Sequence, residues 1–297
     1  MLKTDAKPQT ARQPDWLHLG APPIPDDHGA YAMLLLPMLL GFILGVVRGI
    51  APSADPLGVL AACVLFAVSL VALFFASEPL SVAFKPRASV AARHRATKWL
   101  GIYLLAGASA GAPLFFFWGL RELAWFLVVA GVLMLVFLVA VKMRKQRNLG
   151  VRLPGIICLT LSGPGAYYVA TGRLDAQAWG LGVACAVYFV GTVFNVRAWF
   201  EINRQKKSGI SHTQLPTWLV ASILLYIAGG ALAVAIMAFG GALPWAAFVA
   251  FVPSLLRAIW TLWRTPAHIP IKKIGLIEFA QSFAFGLLLV VVLAGSA

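Results

Sequence analysis

The chain has 297 residues, 61% of them hydrophobic and 11% charged, with a mean hydropathy of +0.86. Globular domains carry about 25% charged residues, so this composition excludes a soluble fold and points to a bilayer. The net charge of +14 would suit a nucleic-acid partner, but the distribution of Lys and Arg assigns it to membrane topology.

A helix that crosses a bilayer needs roughly 20 mostly apolar residues. Nine such runs, bounded by Pro, Gly and charged breaks, lie at 30–47, 57–76, 99–119, 122–141, 154–171, 178–197, 217–239, 243–263 and 274–294. The expected fold is all-α, a polytopic membrane bundle of nine transmembrane helices (30–297) after a polar N-terminal tail (1–29). That tail has no apolar core, so no cleavable signal peptide is expected. The first span opens with PPIPDDHGAYAMLLLP, where Pro25, Asp26 and Asp27 are helix-start residues whose carboxylates accept from free amides. His28 and Gly29 do not fit that role as well. The second span leads into Glu78, Lys85 and Arg87. Within the fifth, LTLSGPGAYYVATG places Pro164 between two glycines, a pattern that kinks or breaks a helix. The sixth ends in GTVFNVRAWFEINR, with Asn195, Arg197 and Glu201; the eighth carries Arg257 about two turns from its end, and the ninth Glu278 about one turn from its start.

Of the 24 Lys and Arg residues, only Arg48, Arg121 and Arg173 fall in odd-numbered loops; the other 21 lie in the tail, in even-numbered loops or at the span ends beside them. By the positive-inside rule, this places the N-terminus in the cytoplasm and the C-terminus outside, in a bacterial inner membrane. The basic side is suited to anionic lipids, and no nucleic-acid partner is required. Cys63, Cys158 and Cys185 stand singly in apolar runs, and no two of the five histidines are spaced at i,i+3 or i,i+4. No metal site or cofactor is expected.

Polar residues at membrane depth are costly and tend to be functional. Glu78, Lys85, Arg87, Asn195, Arg197, Glu201, Arg257 and Glu278, with His28, all belong to the predicted cytoplasmic half, which points to one polar chamber opening there. Simpler readings stand beside it. Lys85 and Arg197 are placed to snorkel to the headgroups, and Arg257 with Glu278 can form a buried pair joining spans eight and nine.

HGAYAMLLLP (28–37), FVGTVFNVRAWF (189–200), LLRA (255–258) and KKIGLIEFAQS (272–282) resemble the bacterial YwiC-like membrane family, in which Trp usually stands at the place of Tyr31. That resemblance names a membrane protein without assigning an activity. Nine helices with polar clusters at the inner ends of spans two and six also resemble the UbiA prenyltransferase superfamily. The likeness implies magnesium held by Asp-rich motifs at those two places. Here Glu78 is the one carboxylate between Ser77 and Arg87, and Glu201 the one between Asn195 and Arg204. Such a set makes a poor clamp for magnesium, which takes several oxygen ligands, so an ordinary magnesium-dependent prenyltransferase is not expected. The expected function is a UbiA-like bundle whose chamber binds an anionic lipid or isoprenoid through arginine. The alternatives are a small-solute transporter, suggested by the broken fifth span, and a ligand-free scaffold.

Overall fold

The computed structural model describes residues 20–25, 27–48, 55–143, 149–208, 215–263 and 270–296. They contain helices and no strand: α1 (His28–Val47), α2 (Pro56–Phe84), α3 (Val90–Phe116), α4 (Leu123–Lys142), α5 (Leu149–Thr160), α6 (Ser162–Thr171), α7 (Ala176–Lys207), α8 (Thr217–Phe239), α9 (Phe248–Trp263) and α10 (Ile271–Gly295). Backbone groups in hydrocarbon must be satisfied within their own segment, which leaves the helix as the economical spanning element. Among the described residues nine segments are long and apolar enough to cross a membrane, with α5 and α6 together forming the fifth. The protein is therefore a multi-pass membrane protein.

The fifth span breaks at Leu161, between α5 and α6. Pro164 causes it, because proline has no N–H to return to the carbonyl of Thr160 and its ring crowds that turn. All ten residues of α6 are buried, making it the axis of the bundle. Its small residues explain how its neighbours come so near. A Cβ added to Gly41 of α1 would lie 2.2 Å from the carbonyl oxygen of Gly163, and one on Gly182 of α7 would lie 2.9 Å from Pro164. Without a hydrophobic force between helices in lipid, such close backbone packing and interhelical hydrogen bonds supply the association. The Ser162 hydroxyl provides one such bond, donating to the Leu34 carbonyl at 2.7 Å in the buried α1/α6 contact.

Core residues collect on two sides of this axis. Leu40, Leu44, Tyr167, Leu181, Phe285 and Leu289 pack together on one side, and Met38, Phe66, Leu114, Ala166 and Val169 on the other. Helices α3, α4 and α8 lie at the periphery and expose large apolar side chains such as Leu105, Leu135 and Leu225. In a bilayer this exposure faces lipid and needs no partner protein.

Helix ends are tied with polar side chains. Asp27 accepts from the Gly29 amide at 3.2 Å and Asp55 from the amides of Leu57 and Gly58, both at 3.1 Å. The expected cap on the first span is thus made by Asp27, while Asp26 lies outside the described residues. Arg48, following α1, donates to the Leu293 carbonyl near the end of α10 at 2.7 Å. A cation there meets the negative end of the helix dipole, and the contact puts the ends of spans one and nine on the same face, as an odd number of spans requires. On the opposite face, which carries most of the basic residues, the Tyr31 hydroxyl donates to Pro25 at 3.2 Å and that of Tyr103 to Pro23 at 3.4 Å. The segment before α1 is thereby pinned across α1 and α3.

Several helices run beyond the apolar segments expected from sequence. α2 continues to Phe84, α3 begins at Val90 and α7 reaches Lys207, so Glu78, His94, Arg197 and Glu201 are helical. Charge ends the hydrophobic window but not the backbone hydrogen bonding, so the helices extend into the headgroup zone.

Candidate functional site

Three helices turn polar stripes toward one another near the basic face. On α9, Ser254, Arg257 and Thr261 occupy one face and are buried, while Val252, Leu256 and Trp263 are exposed on the other. On α7, Tyr188, Thr192, Asn195, Trp199 and Asn203 recur at helical spacing, all buried. On α10, Glu278, Gln281 and Ser282 are spaced at i, i+3 and i+4. Such spacings place each set on one side of its helix.

Arg257, only 8% exposed, organises the group. It forms an ion pair with Glu278 through Nη2 and Oε1, while its Nη1 donates to Gln281 Oε1 at 2.5 Å. The guanidinium carbon lies 5.5 Å from the centre of the Trp199 ring, within cation–π range. Trp199 Nε1 donates to Thr261 Oγ1 at 3.2 Å, and the Thr261 hydroxyl donates to the Arg257 carbonyl at 2.9 Å. Further along, the Tyr188 hydroxyl donates to Ser282 Oγ at 3.3 Å, and its ring stacks on Phe285 with centroids 4.0 Å apart. Arg257 sits six residues from the end of α9, about 9 Å along the axis, too deep for easy snorkelling. Burial makes the pair obligatory, since an isolated charge there is far costlier than a matched one. Two of its atoms, Arg257 Nε and Glu278 Oε2, are buried without a hydrogen-bond partner among the described residues.

Residues 24–167 match the model of the YwiC-like protein family. Two curated relatives align along most of their length. An uncharacterized protein of Haemophilus influenzae is 25% identical over 90% of this chain and 97% of its own, and the uncharacterized protein YwiC of Bacillus subtilis is 26% identical over 88% and 94%. Over that stretch the chain resembles the YwiC-like family. No solved structure matches it, so the UbiA likeness gains no structural counterpart.

The expected site residues do not gather in one place. Arg257, Glu278 and Asn195 lie on the α7, α9 and α10 side. Arg197 and Glu201 occupy roughly the opposite face of α7 from Tyr188 and Trp199, by the 100° step of a helix. There Arg197 is half-buried and within electrostatic reach of Arg152 on α5, and Glu201 pairs with Arg204 at 2.8 Å. Glu78 and Lys85 pair at 3.5 Å, and Arg87 follows in the α2–α3 turn. Helix α2 packs mainly on α3, α6 and α4, so this pair belongs to a separate part of the basic face. The side chain of His28 lies outside the described residues.

Each carboxylate at the magnesium-motif positions is thus engaged by a basic neighbour. Among the described residues, no three His, Cys, Asp or Glu side chains form a metal-like group. Sequence reasoning missed Trp199, Thr261, Gln281, Tyr188 and Ser282. The readable signal was the i, i+3, i+4, i+7 recurrence of polar residues on three different spans, which singles out a shared interior better than charge does.

Proposed function

We propose that the protein holds the phosphate of an anionic amphiphile, a lipid or an isoprenoid, where α7, α9 and α10 meet, with the basic face in the bacterial cytoplasm. The observation that carries this reading is a buried arginine whose Nε has no partner among the described residues, lying at membrane depth beside polar stripes from two other helices. Guanidinium is the side chain best matched to phosphate, because its planar donors bind two oxygens at once. Glu278 and Asn195 belong to this site. Lys85, Arg87 and Arg197, with the paired Glu78 and Glu201, form the rim that concentrates anionic headgroups at the surface. His28 is proposed at the rim by its place at the start of α1. A UbiA-like arrangement is the architecture proposed for this binding role, without its magnesium chemistry.

Native mass spectrometry of protein extracted gently from its own membrane tests the reading. A stoichiometric lipid or isoprenoid adduct in the wild type, lost in Arg257→Ala, is expected; a clean apo mass counts against it. Alkaline phosphatase fused after Ala297 should be active in cells, since the proposed topology puts the C-terminus outside. Activity from a fusion in the α2–α3 turn instead would reverse that orientation.

A second reading, a small-solute transporter, is favoured by the break at Leu161 in the fifth span, because broken helices offer backbone groups to a substrate. Proteoliposome flux of a solute panel distinguishes it, and Pro164→Ala should alter any flux observed.

A further inference from the structure

A ligand phosphate cannot simply be added to the site just described, because Glu278 already occupies Arg257. The guanidinium has Nη2 on Glu278 and Nη1 on Gln281, and only Nε is without a partner among the described residues. A phosphate arriving beside an ionised Glu278 would set two anions against one cation in a buried site, where mutual repulsion is weakly screened. The carboxylate has one inexpensive way out of that conflict, which is to take up a proton. Arginine has no equivalent route, since it stays protonated under all relevant conditions.

From this we infer that Arg257 and Glu278 form an exchange device: the anion replaces Glu278 on the guanidinium while Glu278 binds one proton, so each anion enters with one proton. The inference rests on the anion-binding reading above. Charge balances on both sides of the exchange. Before it, the site holds Arg257 as cation and Glu278 as anion; afterwards it holds Arg257 as cation, the ligand as anion and a neutral Glu278. The proton comes from water at the basic face, and the carboxyl O–H it creates can donate to the ligand. Other groups around Glu278 do not substitute for it. From α9 the facing charged residue is Arg257; α7 presents the uncharged but titratable Tyr188, with Tyr226 of α8 in electrostatic reach of that phenol. From α1, Leu36 and Leu40 pack on α10 and carry no charge. Trp199, with its ring in cation–π range of the guanidinium, helps to keep Arg257 in place while its partner changes.

The test is equilibrium binding of radiolabelled short-chain phosphatidylglycerol and of farnesyl phosphate to the full chain in phosphatidylcholine nanodiscs, from pH 5 to pH 8. The two probes separate a lipid headgroup from an isoprenoid source. Because binding takes up a proton, affinity is highest at low pH and falls as pH rises through the titration of Glu278. The expected slope approaches a tenfold weakening per pH unit. Glu278→Gln, which has no proton to exchange, is the reference that cancels titration of the probe itself, and its affinity should be tight and flat for phosphatidylglycerol. Arg257→Gln should lose binding of both probes. Proton uptake in weak buffer, close to one per bound anion, gives a readout that needs no variant. Binding by the wild type without pH slope or proton uptake overturns the exchange while leaving the anion site standing. Absence of binding by the wild type at every pH overturns both.

Discussion

Glu278→Leu is expected to lower the unfolding free energy by about 3–5 kcal/mol, the usual result of removing one member of a buried ion pair. The two partners should not be equivalent. Glu278→Leu strands a guanidinium that stays charged, against the face of Trp199 and with only Gln281 still accepting from it. Arg257→Leu strands a carboxyl, which escapes the cost of buried charge by binding a proton, so its loss should be smaller, about 1–3 kcal/mol. The double variant Arg257→Leu/Glu278→Leu should lie near the wild type, because matched apolar residues remove both desolvation penalties together. Unfolding of the purified protein in detergent measures all three. Equal losses in the two single variants would contradict the asymmetry.

Gly41→Ala should be destabilising by about 1–3 kcal/mol, toward the upper end of what overpacking costs. The new methyl would meet the backbone oxygen of Gly163 at 2.2 Å, and a backbone oxygen in the centre of the bundle has nowhere to move without displacing α6. Gly131→Ala is the matched control on α4. A Cβ there meets nothing within 4 Å, so stability should be unchanged or raised within about 1 kcal/mol through helix propensity. The comparison separates tight packing from any general property of glycine in a membrane helix. Similar melting behaviour of both variants would place the α1/α6 contact outside the stabilising core.

The membrane class and the nine spans were legible because both rest on composition and on the fixed thickness of a bilayer. The Arg257–Glu278 contact was partly legible for a related reason: an arginine two turns deep has few neighbours able to compensate it, and Glu278 sits at a matching depth on the next span. Helix adjacency was not legible. A membrane helix can be apolar on every side, so nothing in the hydropathy of α6 announces that it is central while α4, more apolar, is peripheral. The division of the expected site residues between different helix faces was hidden for the same reason. Asn195 and Arg197 are two residues apart, yet a 200° turn of α7 sends them to different faces, and only the packing partners show which face belongs with Arg257. Trp199 and Tyr188 were passed over because aromatic residues are ordinary near membrane interfaces, and their roles depend on contacts across helices.

The fully buried α6 has a consequence for how the chain is made. The fifth span is the least apolar of the nine and has the largest share of its residues enclosed. Within α6 it buries the small or polar Ser162, Gly163, Pro164, Gly165 and Thr171 beside the larger Tyr167, Tyr168 and Val169, so its contacts are with other helices and not with lipid. Its partners α1 and α2 are synthesised before it and α7 after it. Chain order therefore supplies the α1 and α2 faces on which α6 packs before α6 itself, and the α7 face after it.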